Sequence, residues 1–328
     1  MLHETLGGSI GVVLVCIVIL MLSAERAVQK IIGILNKYKF SSTFGGLTIF
    51  SLATSIPEIF AHLAASFGIL RGTLDYKIAS ATVLGANIGS DVIQQTLLIG
   101  LVVLLMGGLT FERKFLKTAY LPMIGTTLMC IILGWDRTFS RLDGAILFGT
   151  FLAYMFFLYR LELNHHVEIK GPKSTRPLLD ALIATSFMAI MLISAHFLLK
   201  TTEHIVTLTG LGGSLIGVIS LGVASAAPEL FTALSGIKQK AMGISLGTLI
   251  GSNITNPLVA IGGGALLSTY WVPLPLIYWD LPMETITAAL LLIYLLRNKG
   301  KLGKGGAYYL IGLYAVYLIM RFAFFSVD

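Results

Sequence analysis

The segment Phe50-Ser-Leu-Ala-Thr-Ser-Ile-Pro-Glu-Ile-Phe60 has a counterpart in the second half of the chain, Leu221-Gly-Val-Ala-Ser-Ala-Ala-Pro-Glu-Leu-Phe231. A second pair follows downstream, Gly85-Ala-Asn-Ile-Gly-Ser-Asp-Val-Ile-Gln94 and Gly247-Thr-Leu-Ile-Gly-Ser-Asn-Ile-Thr-Asn256. Gly and Pro are common in membrane helices, so a single pair could arise by chance. Two pairs in the same order indicate an internal repeat.

The composition predicts that these segments lie in a membrane. Of the 328 residues, 56% are hydrophobic and 12% are charged, whereas roughly a quarter of an average soluble chain is charged. Hydropathy predicts ten helical spans of about the length that crosses hydrocarbon, and we expect an all-α integral membrane protein. The spans are centred in residues 8–23, 44–69, 79–107, 116–134, 143–160, 178–199, 211–236, 241–267, 278–296 and 305–325.

Lys and Arg residues are divided unequally between the two sides of the membrane. If the chain crosses at every span, 17 of the 23 Lys and Arg residues lie on one side. The positive-inside rule places that side in the cytoplasm. This placement predicts a multi-pass protein of the plasma (inner) membrane with both termini outside. It also accounts for the formal charge of +7 without nucleic acid as a partner.

The spans divide evenly between the two halves of the chain. Five spans in each half reverse the direction in which the second half enters the membrane, which is the inverted repeat typical of secondary transporters. We expect residues 1–162 to form the first five-helix repeat and residues 178–328 the second. Residues 163–177 are expected to be a cytoplasmic linker, and His165 and His166 within it are interpreted as solvated rather than as metal ligands.

Each copy of the first motif places a proline and a glutamate inside a span. Pro57 and Pro228 lack a backbone N–H, so we expect both helices to break there and to leave carbonyl oxygens free. Glu58 and Glu229 follow directly. A carboxylate inside a membrane costs about 2.5 kcal/mol or more and therefore indicates a functional site.

Polar side chains recur at helical spacing around these glutamates. Thr54 and Ser225 each precede a glutamate by four residues, so hydroxyl and carboxylate share a helix face. The pairs Ser90 with Gln94 and Ser252 with Asn256 are also four residues apart. Hydroxyl, amide, carboxylate and carbonyl oxygens suit Ca²⁺ or Na⁺. The alternative is that Ser, Asn and Gln only join helices by hydrogen bonds of about 0.6 kcal/mol each.

Four further ionisable residues lie in the spans. His62, one turn after the first glutamate, is either a proton carrier or a histidine that bonds to a neighbouring helix. Asp91, whose counterpart is an asparagine, is interpreted as a third acid of the cavity in preference to a residue of a polar helix interface. Asp280 and Glu284 lie among Trp and Tyr residues typical of an outer membrane interface, so we expect them to be solvated.

The paired motifs resemble the signatures of the cation/Ca²⁺ exchanger superfamily, specifically its prokaryotic sodium/calcium exchanger branch. ATSIPE at 53–58 and VASAAPE at 223–229 are similar to GTSxPE, and IGSDVIQ and IGSNITN are similar to GSNxxN or GSNxxD. The resemblance covers essentially the whole chain. It implies a cation site formed by Thr54, Glu58, Ser90 and Gln94 of the first repeat and Ser225, Glu229, Ser252 and Asn256 of the second, with backbone carbonyls near Ser51 and Gly222.

The resemblance also implies a mechanism. In that family Ca²⁺ and Na⁺ compete for overlapping positions, and the first and sixth helices slide across the remaining bundle. Three residues depart from the family pattern: Gln94 stands in place of Asn, Asn256 in place of a frequent Asp, and Ala226 in place of Ser. The transported ions and their stoichiometry therefore stay open.

We predict a secondary antiporter that exchanges Ca²⁺ for Na⁺ by alternating access at the two glutamates, with inorganic cations and the bilayer as partners and no cofactor. The first alternative is an antiporter of the same superfamily that is driven by H⁺ or carries another cation. A weaker alternative is an intramembrane metalloenzyme, suggested by Glu58-x-x-x-His62. The repeat argues against it, because Ala233 occupies the position equivalent to His62.

Overall fold

A computed structural model of the chain describes residues 5–35, 42–162, 174–238 and 242–328. Within these residues, nine helices are long and apolar enough to cross a membrane, and a bent pair of helices supplies a tenth span. The predicted all-α fold of ten spans is confirmed. The spans, labelled α1–α10 in chain order, cover Leu6–Leu35, 42–70 (interrupted at Ser55), Tyr76–Met106, Arg113–Leu133, Arg141–Glu162, Pro177–Thr209, Gly213–Lys238, Met242–Leu267, Leu276–Arg297 and Lys304–Phe324.

Wider π-helical turns recur at matching places in the two halves. They lie in α2, α3 and α4 of the first half and in α7, α8 and α9 of the second. Gln94 and Asn256, which end the second motif of each half, both begin such a turn. Turns of this kind are frequent at functional sites. They cover Gly46–Phe50, Gln94–Leu98, Leu116–Tyr120, Val218–Gly222, Asn256–Ile261 and Leu276–Asp280.

The two proline motifs have different backbone forms. The helix that carries Pro57 is interrupted at Ser55, and its two pieces are bent by 51°. Pro228 lies inside the continuous helix Val223–Lys238. The predicted break is therefore confirmed at Pro57 and wrong at Pro228. A proline removes only one helical hydrogen bond, and the bonds on either side hold α7 together.

Two short antiparallel sheets connect the halves of the chain. One joins the connection before α4 to the connection before α10, and the other joins the connection before α5 to the connection before α9. Exchanging the two halves converts one sheet into the other, which agrees with an inverted repeat. The strands are Leu109–Thr110 (β1) with Lys301–Leu302 (β4), and Thr138–Phe139 (β2) with Tyr270–Trp271 (β3).

Glycines bring the central spans close together across the two halves. A Cβ atom on Gly85 of α3 would lie 2.2 Å from the carbonyl oxygen of Ser214 in α7. A Cβ atom on Gly247 of α8 would lie 2.9 Å from the Cα of Gly46 in α2. Close backbone approach through small residues is how membrane helices pack tightly. The four spans that carry the two motifs therefore form the centre of the bundle.

The helices α1 and α6 pack along each other and contact the central spans more lightly. Lys30 Nζ of α1 lies 2.7 Å from Asp180 Oδ1 of α6. Deeper in the pair, Ser194 Oγ donates to the carbonyl of Cys16 at 2.8 Å. The predicted linker of residues 163–177 falls mostly outside the described residues, as do His165 and His166.

Candidate functional site

The two glutamates of the repeat are buried at the centre of the bundle. Glu58 is 1% exposed and Glu229 is 0% exposed. Ser90 Oγ donates to Glu58 Oε1 at 3.2 Å, and Ser225 of the second half also lies beside Glu58. The polar neighbours of Glu229 are Ser252 of its own half and Thr54 of the first half. Hydroxyls from both halves therefore lie near each carboxyl group in a symmetric arrangement, with a hydrogen bond from Ser90 to Glu58.

The hydroxyls themselves meet across the halves. Thr54 Oγ1 lies 3.2 Å from Ser252 Oγ, and Ser51 Oγ lies 3.3 Å from Thr255 Oγ1. Carbonyl oxygens one turn earlier face the same hydroxyls, since Thr54 donates to the carbonyl of Ser51 and the Ser225 hydroxyl donates to that of Gly222, both at 3.3 Å. The structure thus brings together the predicted residues Ser51, Thr54, Glu58, Ser90, Gly222, Ser225, Glu229 and Ser252.

Several carboxylate and amide oxygens in this region lack a hydrogen-bond partner among the described residues. They are Glu58 Oε2, both carboxyl oxygens of Glu229, and Asn256 Oδ1. An unsatisfied buried polar atom costs about 1–3 kcal/mol, and a charged one more. Ca²⁺ and Na⁺ bind oxygen ligands of this kind. The donor set therefore fits a hard cation as the transported substrate.

A series of hydrogen bonds between side-chain amides fixes the orientation of Gln94. Asn253 Nδ2 donates to the carbonyl of Leu249 at 2.8 Å and to Gln94 Oε1 at 2.9 Å. Because a carbonyl oxygen only accepts hydrogen bonds, the nitrogen of Asn253 faces Gln94. Gln94 in turn directs its own Nε2 to Ser90 Oγ at 3.1 Å. Gln94 therefore presents a donor, not an oxygen, to the hydroxyl that contacts Glu58.

Glu284 lies at the other end of this series of hydrogen bonds. Its Oε1 accepts from Thr127 Oγ1 and from Gln95 Nε2, each at 2.9 Å. Gln95 Nε2 also donates to Asn253 Oδ1 at 2.6 Å. Glu284 is 2% exposed, so the expectation that it is solvated is wrong. A hydroxyl of α4 and an amide of α3 replace water around the carboxylate.

Asp91 belongs to the same cluster of acids. It is 1% exposed, and its Oδ1 accepts from Asn256 Nδ2 at 2.7 Å. Its carboxyl group lies within electrostatic range of Glu58, Glu229 and Glu284. Asp91 therefore lies near the other acids and also bonds across a helix interface, so its position is compatible with both interpretations. It bonds to the residue at which the family frequently has an acid.

His62 is buried and contacts polar groups of two neighbouring elements. Asn87 Nδ2 donates to the backbone carbonyl of Asn256 at 3.3 Å and faces His62 Nε2 at 3.5 Å. The nitrogen of Asn87 is thus a donor, and His62 Nε2 accepts. His62 Nδ1 lies 3.3 Å from the hydroxyl of Tyr270. His62 thus contacts Asn87 of α3 and Tyr270 of β3, and both interpretations of His62 are compatible with these contacts.

Asp280 is also buried, at 0% exposure, so the expectation that it is solvated is wrong. Arg321 Nε of α10 lies 3.1 Å from Asp280 Oδ2, and the hydroxyl of Tyr317 donates to Asp280 Oδ1 at 2.7 Å. Arg321 also donates to Ser214, whose hydroxyl bonds to Asp328. This ion pair ties α9 and α10 to the start of α7.

Sequence reasoning did not identify the amides around the predicted residues. Asn87 and Gln95 lie in the same span as Ser90, and Asn253 follows Ser252 directly. An amide in a buried span is a signal, because it requires a partner. The missing information was which partner each amide meets across the bundle.

The chain is similar to proteins from several prokaryotes. It is 24% identical to the inner membrane protein YrbG of Escherichia coli over 95% of this chain and 96% of that protein. It is 22% identical to the sodium/calcium exchanger MaX1 of Methanosarcina acetivorans, over 95% and 97% of the two chains. The putative antiporter CaxA of Alkalimonas amylolytica is 27% identical over 78% of this chain and 80% of its own length.

The fold is similar to that of the sodium–calcium exchanger NCX_Mj, solved after soaking with 2.5 mM Na⁺ and 0.1 mM Sr²⁺. The TM-score is 0.63 at 20% identity, and the match covers 96% of this chain and 99% of that chain. Residues 8–160 and 180–323, one stretch in each half, match the family model described as sodium/calcium exchanger protein. This match covers most of the chain, and the protein therefore belongs to the sodium/calcium exchanger family of membrane transporters and is not an enzyme.

Proposed function

We propose that the protein exchanges Ca²⁺ for Na⁺ across the membrane, with both cations binding at Glu58 and Glu229. The observation that carries this proposal is the symmetric pair of buried carboxyl groups, three of whose four oxygens lack a partner among the described residues. Two carboxylates balance either one divalent ion or two monovalent ions. Family membership supports transport of these ions by antiport.

The ligands of the proposed site come from both halves of the chain. Hydroxyls lie near both glutamates. Asn256 Oδ1 is a further unpartnered oxygen among the described residues. Gln94 acts through Ser90 in the observed orientation, because its nitrogen faces the hydroxyl. The proposed set is Thr54, Glu58, Ser90, Gln94, Ser225, Glu229, Ser252 and Asn256, with carbonyls near Ser51 and Gly222.

The transport of Ca²⁺ is coupled to that of Na⁺ because the two cations exclude each other from the site. Ca²⁺ and Na⁺ draw on the same two carboxylates, so the site holds one kind of cation at a time. Asp91 adds a third carboxyl group nearby, so the total positive charge carried per cycle is not set by Glu58 and Glu229 alone. Protons or a further Na⁺ balance that group.

Alternating access is proposed to use α1 and α6 as one moving unit. The ion pair of Lys30 with Asp180 and the lengthwise packing of the two helices support joint movement. A cavity of about 470 Å³ between α1, α2 and α7 reaches Thr54, and Glu25 and Pro228 line it as well. This cavity is a route by which cations reach the glutamates from one side of the membrane.

The proposed topology places both termini outside the plasma (inner) membrane. The connections joined by β1 and β4 carry seven exposed Lys and Arg residues and lie on the proposed cytoplasmic side. The connections joined by β2 and β3 carry two Arg residues, at 137 and 141. This asymmetry supports the proposed orientation. The two sheets, which interchange when the halves are exchanged, support residues 1–162 and 178–328 as inverted repeats, with residues 163–177 as the cytoplasmic linker.

The test is Ca²⁺ uptake into proteoliposomes loaded with Na⁺, compared with vesicles loaded with choline. We expect uptake to require internal Na⁺ and to be lost in both Glu58→Gln and Glu229→Gln. The exposed Glu112→Gln serves as the matched control and should transport normally. Na⁺-dependent uptake that persists in both variants contradicts the proposed site.

An H⁺-driven antiporter gives a different result in the same vesicles. Uptake would follow an imposed pH gradient and would be equal with Na⁺ and choline inside. The buried carboxyl groups of Glu58 and Glu229 are able to bind protons in that alternative. The flux comparison therefore distinguishes Na⁺-driven from H⁺-driven exchange directly.

A further inference from the structure

A groove of about 560 Å³ lies between α9 and α10 on the outer surface of the bundle. Its walls are apolar and aromatic. The groove exists because α10 begins with glycines, and a Cβ atom on Gly305 would meet no other atom within 4 Å. Space of this size next to a span is able to hold part of a long apolar ligand. Residues that shape it include Leu290, Tyr294, Leu302, Gly305, Tyr309 and Leu313.

A concentration of positive charge borders the groove. The connection from α9 to α10 bears four basic side chains, and the β1–β4 pairing brings a second basic connection beside it. Phe111 N of that second connection donates to the carbonyl of Gly300 at 2.8 Å. The acidic residue in these two connections is Glu112, so their net charge is +6. The basic residues are Arg113, Lys114, Lys117, Arg297, Lys299, Lys301 and Lys304, and all seven are exposed.

These charges have no acidic partner in the part of the chain that the structure describes. The ion pairs found there join Lys30 to Asp180 and Arg321 to Asp280. Lys301 and Lys304 flank Leu302 and Gly305, which line the groove. The two exposed lysines are therefore next to residues that line the groove, at the end where α10 begins.

We propose that the groove binds one anionic glycerophospholipid, with an acyl chain between α9 and α10 and the phosphate headgroup at Lys301 and Lys304. Basic pockets between membrane helices bind anionic headgroups, and each basic residue near the surface adds attraction. An apolar groove alone would accept any lipid. The seven positive charges select a headgroup with net negative charge over a zwitterionic one.

The equivalent sheet on the opposite face provides an internal comparison. Around β2 and β3 the aromatic side chains that reach the surface are Trp135, Trp271 and Tyr278. Two arginines lie there, and Lys77 Nζ lies 5.4 Å from the centre of the Trp271 ring. Arg137 lies over the ring of Trp271, with 5.4 Å from its guanidinium carbon to the ring centre. That face thus has the aromatic character of a membrane interface without a free basic cluster. The proposed lipid site is specific to the β1–β4 face.

The test measures lipid retention by native mass spectrometry of protein taken from vesicles of phosphatidylcholine and phosphatidylglycerol. Wild type should retain one phosphatidylglycerol. Gly305→Leu, which places an apolar side chain in the groove from a position where a Cβ atom meets nothing within 4 Å, should lose it. Gly312→Leu lies on the same helix, also has open space around its Cβ, and does not line the groove, so it should retain the lipid. Lys301→Gln with Lys304→Gln should weaken retention about thirtyfold.

Two results would overturn the proposal. Equal retention of phosphatidylcholine and phosphatidylglycerol by wild type would show that the basic residues do not distinguish an anionic headgroup from a zwitterionic one. A dimer that Gly305→Leu converts to a monomer, without any change in bound lipid, would show that a second copy of the chain occupies the groove. Lipid retention is read without any flux, so the outcome is independent of the transported ions.

Discussion

The hydroxyl of Ser90 connects two parts of the proposed site. It donates to Glu58 Oε1 and accepts from Gln94 Nε2. A hydrogen bond to a charged group contributes about 1.5–3 kcal/mol. We therefore expect Ser90→Ala to raise the apparent KM for Ca²⁺ by about tenfold or more, with a smaller effect on the maximal rate. Initial rates of Ca²⁺ uptake at varied Ca²⁺ concentration measure this change.

A matched control for Ser90→Ala is Ser80→Ala in the same span. Ser80 is equally buried, and its hydroxyl has no hydrogen-bond partner among the described residues. Its replacement removes a hydroxyl from α3 without removing a contact to a carboxylate. If both variants have the same KM, Ser90 contributes only to packing and the proposed ligand set is wrong at this residue.

The residues of the site differ in how far sequence could predict them. Glu58 and Glu229 were predictable because a carboxylate beside a proline in an apolar span has few structural explanations. The bonds of Gln95 and Asn253 to Glu284 were not predictable, since hydropathy does not say which face of α9 meets α3 and α4. Asp280 was misjudged for the same reason, because its partner Arg321 lies 41 positions away in another span.

At the scale of single helices, the two proline motifs show that the sequence around a proline does not by itself decide whether the helix is interrupted. The sequences around Pro57 and Pro228 are closely related, yet only the helix with Pro57 is interrupted. In that helix Ser55 leaves the helical conformation, with φ −78° and ψ 1°. The rule for proline predicts a lost hydrogen bond. Whether the helix also separates depends on how its neighbours pack.

Gly85 tests the close contact between α3 and α7. A methyl group at this position would lie 2.2 Å from a backbone carbonyl oxygen, so the helices must move apart. Overpacking of this kind costs about 1–3 kcal/mol. We expect Gly85→Ala to lower the melting temperature of the purified protein in detergent by several degrees and to reduce transport.

The control for that variant is Gly125→Ala in α4, where a Cβ atom meets nothing within 4 Å. Alanine is favoured over glycine inside a helix by roughly 0.5–1 kcal/mol, so this variant should melt at an equal or higher temperature. An unchanged melting temperature for Gly85→Ala would contradict the observed contact between α3 and α7.

At the scale of the whole molecule, the number of spans was predictable from sequence and the contacts between the halves were not. Hydropathy identifies long apolar segments wherever they occur. The two sheets are made of strands of two residues each, such as Leu109–Thr110 and Lys301–Leu302. Strands this short have no periodic pattern in the sequence, because alternation needs at least four residues to be recognised.

The orientation of the molecule in the membrane is a further prediction. Single cysteines at Trp135→Cys and Lys301→Cys place thiols on opposite faces, and Cys16 and Cys130 are buried. The positive-inside rule puts the basic face in the cytoplasm. A membrane-impermeant maleimide added to intact cells should therefore label residue 135 and leave residue 301 unlabelled until the cells are opened. The reverse pattern would place both termini in the cytoplasm.

The central claim is that Ca²⁺ and Na⁺ share Glu58 and Glu229. Calorimetric titration of the purified protein with Ca²⁺, with and without Na⁺, tests it most directly. We expect Na⁺ to raise the apparent Kd for Ca²⁺ in wild type, and we expect Glu58→Gln and Glu229→Gln to weaken Ca²⁺ binding by about thirtyfold or more. Ca²⁺ affinity that is unaffected by Na⁺, or unchanged in both variants, would contradict the shared site.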